Sequence, residues 1–137
     1  MSAVVGIPPR SVTTLLRLEG LAVAAGAIIA FAVAGANWWL FLLVLAPDLC
    51  LVAFALAPRH AATIYNLAHF YMWPLILIVA GLLTPTGPLL PLGLIWAVHI
   101  GVDRALGYGL KYPGSFTSTH LGSIGGARKA ATDANAG

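Results

Sequence analysis

Long apolar runs, separated by short turns rich in proline and glycine, set the pattern of this chain. A helix needs about 20 mainly apolar residues to cross a hydrocarbon core. Four segments meet that length: roughly Val12 to Ala34, Trp38 to Ala57, Ala62 to Leu83 and Pro88 to Leu110. The breaks read GAN at Gly35–Asn37, PRH at Pro58–His60 and TPTGP at Thr84–Pro88. Proline lacks a backbone N–H and glycine is too flexible, so both punctuate helices. The pattern predicts an all-α fold, an integral membrane four-helix transmembrane bundle over residues 1–114, with a tail over 115–137. The tail is rich in Gly, Ser, Ala and Thr, and its last dozen residues are expected to be disordered.

Composition supports the membrane reading. Of 137 residues, 60% are hydrophobic and 8% are charged, against about 25% charged in an ordinary soluble domain. So few charges could not cover the large relative surface of a small soluble protein. The stretch from Leu21 to Ala34, behind Arg10 and Arg17, has the look of a short leader core. The residues GANWW then lead straight into another apolar run, so a cleavable signal is not expected. The single Cys50 cannot form a disulfide within the chain and leaves the redox compartment open.

Charge adds an orientation. The net charge is +3, but the seven Lys and Arg residues form no block, which argues against nucleic-acid binding. Arg10 and Arg17 lie at the start, Arg59 in the second loop, and Arg104, Lys111, Arg128 and Lys129 at the end. Four spans place the N-terminus, the second loop and the C-terminus on one side. All the basic residues fall there, and the positive-inside rule makes that side cytoplasmic. The expected location is the plasma (inner) membrane, multi-pass, with both termini cytoplasmic. Trp38 and Trp39 then sit at the outer interface, where amphipathic rings are favoured.

Acids and histidines inside a span are costly, about 2.5–3.5 kcal/mol for Asp on insertion scales. This chain has Glu19 in the first span, Asp48 in the second, His69 in the third, and His99 with Asp103 in the fourth. At a rise of about 1.5 Å per residue, they lie roughly 9, 14, 11, 15 and 9 Å from the cytoplasmic ends. All four helices thus contribute to one thin slab. His99 and Asp103 are four apart and share a helix face. Arg17, Asn66, Arg104 and Tyr108 lie nearer the cytoplasm, where they could line a mouth. Pro47 and Pro74 should free the carbonyls of Leu43 and Phe70, four residues before each. Freed carbonyls need polar partners at that depth. Gly101, Gly107 and Gly109 would allow close backbone approach around the fourth span.

Three carboxylates and two histidines from four helices suit a bundle metal site in composition. Mixed ligation of this kind fits zinc, iron or manganese. Two other readings stay open. Arg17 with Glu19 and Arg104 with Asp103 could form ion pairs without metal, or the layer could be a proton or solute path. Glu19 could also snorkel to the interface. His60 reads as ordinary surface in a basic loop, and Cys50 as a small apolar residue. His120, in THLG, could fold back as a ligand. Tyr108 and Lys111 fit interface anchors, and Trp73 and Trp96 fit packing or lipid contact.

The blocks RLEG at Arg17–Gly20, WWLFLLVLAPDL at Trp38–Leu49 and YNLAH at Tyr65–His69 carry a resemblance. So do HIGVDRALGYGLKYP at His99–Pro113 and THLG at Thr119–Gly122. Together they resemble the small bacterial membrane family called domain of unknown function 4260, over about Leu15 to Gly125. The resemblance implies fold and location, and the family's name carries no activity. A shorter likeness is to membrane-bound metal-dependent hydrolases of the YdjM type. It rests on Pro47–Asp48, on His60 or His69, and on His99 with Asp103. That group has His-Arg followed by Thr-His-Ser where this chain has PRH and NLAH.

The resulting expectation is a membrane-embedded metalloprotein, a metal-dependent hydrolase acting on a lipid or other amphipathic substrate. Asp48, His69, His99 and Asp103 would hold one or two divalent ions, with Glu19 as further ligand or general base. Arg17 and Arg104 would bind an anionic headgroup, with Tyr108 beside them. The alternatives are a small transporter or proton-conducting bundle without metal, a di-metal oxidative enzyme, and a structural or assembly protein. Membrane lipid is the expected partner, with self-association into a homo-oligomer.

Overall fold

The computed structural model describes residues 8–85, 87–113 and 117–123. Helix α1 covers Arg10–Val33. A long 3-10 helix follows at Trp38–Val52 and runs into one α turn, α2, at Ala53–Leu56. Then come α3 at Ala61–Ala68, α4 at Met72–Leu83 and α5 at Leu89–Leu106. A small hairpin of β1 (Ser118–Thr119) and β2 (Gly122–Ser123) closes the described chain, with Thr119 opposite Gly122.

The helical stretches Arg10–Val33, Trp38–Leu56, Ala61–Leu83 and Leu89–Leu106 are each long and apolar enough to cross a membrane. Their outer faces match that role. Val33, Trp39, Leu42, Leu49, Leu56 and Leu83 are between 72% and 83% exposed, far more large apolar surface than a soluble monomer presents.

Helix α5 is the axis of the bundle. Its residues from Leu94 to Gly101 are buried, Trp96 excepted. On α1 the buried positions are Gly20, Ala24, Ala27 and Phe31, spaced four, three and four apart as one face of a helix requires. This face lies directly on α5. A Cβ added to Gly101 would come within 2.7 Å of the Gly20 carbonyl oxygen and 2.8 Å of the Ala24 nitrogen. Side chains of any size would therefore force the two helices apart. Toward the other end, Ala27 and Phe31 pack with Leu94, Ile95, Ala97 and Val98. Phe31 meets Trp38 and Phe41 edge-on, with ring centres 5.1 and 5.2 Å away.

The second span departs from the expected α-helix. Along Trp38–Val52 the half-buried positions Phe41, Val44, Pro47 and Cys50 recur every three residues, the repeat of a 3-10 helix. At about 2 Å per residue the segment reaches further than an α-helix of equal length. Pro47 fits this geometry differently as well. In an i to i+3 ladder its missing N–H frees the carbonyl of Val44, not that of Leu43.

The third span is broken. Helix α3 ends at Ala68, with His69 as its C-cap, and α4 begins at Met72. Pro74 stands in the first turn of α4, where no backbone N–H partner is required. The fourth span is shorter than expected. It stops at Leu106 because Gly107 adopts φ of 96°, the left-handed cap that ends helices. Gly107 to Leu110, expected within the span, instead lie outside the helix and lead toward the hairpin. The expected disorder of the last dozen residues falls outside the described residues.

Candidate metal centre

Each irregularity of the fold delivers one member of a His and Asp cluster. The 3-10 helix presents Asp48, the break after α3 presents His69, and regular α5 presents His99 and Asp103 one turn apart. His69 and His99 are buried at 1% and 4% exposure. The Asp103 side chain is partly covered, whereas that of Asp48 is 38% exposed and forms the open side.

The distances are close enough for the four side chains to share one ion. His69 Nε2 lies 3.1 Å from His99 Nε2, 3.2 Å from Asp103 Oδ2 and 3.6 Å from Asp48 Oδ1. His99 Nε2 lies 3.4 Å from Asp48 Oδ1 and 3.6 Å from Asp103 Oδ2. One ligand atom from each of the four residues falls within 4.8 Å of every other. Ligands about 2.0–2.1 Å from a tetrahedral zinc ion stand about 3.3–3.4 Å from one another. The separations scatter around that edge length.

The tautomer points the same way. His69 Nδ1 is 2.9 Å from the Tyr65 carbonyl oxygen. A carbonyl only accepts, so Nδ1 carries the proton and Nε2 is the nitrogen that faces the cluster. A ligating histidine is commonly oriented by such a bond on its far nitrogen. Two carboxylates and two imidazole Nε2 atoms thus converge on one point, where a metal ion or shared protons would hold them together.

A surrounding layer fixes the ligands. The Tyr65 ring stacks on His69 at 3.9 Å between centres, and its hydroxyl is 3.5 Å from Asp103 Oδ2. The carbonyls opened by the break are satisfied by side chains from α5. Trp96 Nε1 donates to the Ala68 oxygen at 2.8 Å, and Arg104 Nη2 donates to the His69 oxygen at 3.2 Å. These are the carbonyls that found partners, where Phe70 had been the expected one. The Tyr71 hydroxyl is buried without a hydrogen-bond partner among the described residues. Asn66 clamps the Lys111 backbone, accepting from its N–H at 2.6 Å and donating to its carbonyl at 2.8 Å. Lys111 is buried, with Nζ 4.5 Å from the centre of the Tyr65 ring. Burial pushes its ammonium below the usual lysine range, partly offset by the charge of Asp103.

The other expected residues fall elsewhere. Glu19 is exposed on α1 and stands outside the group of four. It is one residue from buried Gly20, so about 100° of helical rotation carries it off the packed face. Arg17 is exposed and donates from Nε to the Ala105 carbonyl at 2.7 Å, which ties α1 to the end of α5. Arg104 turns to backbone oxygens, those of His69 and Tyr108. Tyr108 is exposed beyond the end of α5. His60 is exposed, as expected. His120 does fold back, but as a backbone acceptor. The Leu110 N–H donates to its Nδ1 at 2.8 Å, and Gly109 leaves room for the ring. Burial, aided by the positive charge of Arg104, holds the imidazole below the usual histidine range.

Tyr65, Trp96 and Lys111 are the neighbours that sequence reasoning missed. Tyr65 had a usable signal, since it precedes His69 by four residues and shares its helix face. Lys111 had none, because its burial depends on the chain turning back after Gly107.

Fold and cluster together define a helical protein with four helices long and apolar enough to cross a membrane and a His and Asp group that could hold a metal ion. The chain belongs to the family described as Domain of unknown function (DUF4260), whose model matches residues 13–124. No curated protein and no solved structure matches it.

Proposed function

We propose that the chain is a metal-binding protein embedded in the plasma (inner) membrane, acting as a metal-dependent hydrolase on a lipid or other amphipathic substrate. The observation that carries the reading is the convergence of Asp48, His69, His99 and Asp103 at coordination spacing. Mixed nitrogen and oxygen ligation suits zinc, iron or manganese. Four donors suit one ion, whereas di-metal bundle sites draw on more, so a di-metal oxidative centre fits less well. The set is complete without Glu19. A bound divalent ion would lower the pKa of water held there toward neutrality. The exposed side at Asp48 is where substrate would enter. Arg17 keeps N–H groups for an anionic headgroup.

The orientation with both termini cytoplasmic has support in the packing. The Arg17 to Ala105 bond brings the start of α1 to the end of α5, and Asn66 joins Lys111 to α3. Arg10, Arg17, Arg104 and Lys111 thus share one end of the bundle, which the positive-inside bias makes cytoplasmic. Self-association also belongs to the reading, supported by a second span without a fully buried residue.

Elemental analysis of protein purified in mild detergent tests the proposal. We expect one metal ion per chain, lost in the Asp48→Ala/His99→Ala double variant while helix content stays. A metal-free protein that remains folded, and takes up no zinc, iron or manganese when offered, sinks it. A second reading, a proton path or small transporter, draws on the direct contact between His69 and His99. It predicts proton or solute flux into vesicles that a chelator leaves unchanged.

A further inference from the structure

A cavity of about 430 Å³ adjoins the cluster between the 3-10 helix, α4 and α5. This is within the range of about 300–1,000 Å³ usual for small-molecule sites. Its walls include Leu43 and Ala46 from the 3-10 helix, Leu77 from α4, and Leu92 and Ile95 from α5. They carry almost no polar atoms. The indole N–H of Trp96, which also lines it, is already engaged with the Ala68 carbonyl. Nothing along these walls would hold a polar headgroup.

One end of the lining approaches the cluster without including any of its four residues. Lining residues Pro47 and Ala68 immediately precede Asp48 and His69. The sulfur of Cys50, also in the lining, lies 4.0 Å from His69 Nδ1. On α5 the lining runs from Trp96 back to Leu92, away from His99, about 6 Å at an α-helical rise. That direction is away from the end holding Arg17 and Lys111. A polar group at Asp48 would therefore continue into an apolar chain pointing toward the middle of the bundle. A lipid whose head lies at that basic end has the same polarity.

From this continuity we infer that the cavity takes the alkyl chain of a single-chain amphiphile whose oxygen-bearing end sits at the Asp48 side of the cluster. The inference rests on the metal reading above for what the oxygen end meets. Lipid tails are as apolar as these side chains, so the cavity gains nothing from the hydrophobic effect inside a bilayer. It selects by shape, and the polar end supplies the affinity. A long-chain carboxylate has both parts.

The test uses full-length protein in phosphatidylcholine nanodiscs and a hexadecanoate probe with a photoreactive diazirine at mid-chain. Metal content is measured on the same samples. We expect cross-links concentrated in the Leu43–Cys50 and Leu92–Trp96 stretches, several-fold above those on the exposed face of α1. In Ala46→Trp, which fills the cavity from an exposed position, labelling should fall to the α1 level with metal content unchanged. Equal labelling of the cavity and the α1 face means bulk lipid only and overturns the inference, whatever the metal content. So does concentrated labelling that Ala46→Trp leaves intact. Exclusion of the probe by a second copy of the chain, relieved on dissociation, overturns it too. Concentrated labelling in protein that binds no metal upholds the alkyl site and removes the metal reading alone.

Discussion

The α1–α5 pair and the two middle spans solve different problems. In the pair, a small-residue face at Gly20, Ala24 and Gly101 brings two regular helices into backbone contact. Van der Waals packing of that kind holds helices together in lipid, where no hydrophobic drive operates between them. The middle spans give up regularity, one as a 3-10 helix and the other as a break between α3 and α4. Those departures place Asp48 and His69 opposite the two ligands of α5. The regular pair is the frame, and the irregular spans are fitted to the site. Irregular backbone is tolerated at membrane depth only where protein or a cavity supplies its partners. Here Trp96 and Arg104 supply them.

Breaking the frame should have the largest effect. Gly101→Leu drives a side chain into the α1 backbone, and overpacking typically costs about 1–3 kcal/mol, more where backbone cannot move. We expect loss of thermal stability and of metal together, read by unfolding in detergent and by elemental analysis. A Gly101→Leu protein with wild-type melting would mean that the contact is not part of the frame.

Healing the break should separate site from frame. In Pro74→Ala the helix is free to continue through His69, turning the imidazole away from its partners. Metal affinity should fall roughly 10–100-fold, the scale seen when ligand-orienting groups are lost. Helicity by circular dichroism should hold or rise. Unchanged affinity in a competition titration would show that α5 alone sets the geometry.

A milder change reaches only the surroundings. Tyr65→Phe keeps the ring on His69 and the carbonyl on its Nδ1 but removes the hydroxyl near Asp103. The same titration should show a loss of no more than about tenfold, with melting unchanged. A complete loss of metal would give that hydroxyl a far larger role.

The smallest effect concerns pH and the hairpin. In the fold His120 takes up a proton less readily than an ordinary histidine, whose pKa is about 6.5. The unfolded state therefore binds the proton first as pH falls, and the docked hairpin loses stability through and below that range. The Leu110 amide, held by His120 Nδ1, should exchange with solvent faster at about pH 5 than at about pH 7.5 after correction for intrinsic rates. Equal protection at both would exclude the bond as a support of the hairpin.

The sequence by itself determined four apolar spans and the placement of basic residues at their ends, because chain length in lipid and the cost of charge are local properties. It also assigned each acid and histidine to its span, since that follows from position alone. What it left open was the angle at which each side chain leaves its axis relative to its neighbours. Glu19 shows the difference. Its depth matches that of the cluster, yet the Gly20–Ala24–Ala27 face turns it outward, and that small-residue spacing was the one signal that could have told so. His69 shows the converse, since it reaches His99 through a break whose stray carbonyls are held by side chains of α5. The burial of Lys111 and the docking of His120 belong to the same class. Each depends on contacts between residues distant in the chain, and only tertiary packing decides those.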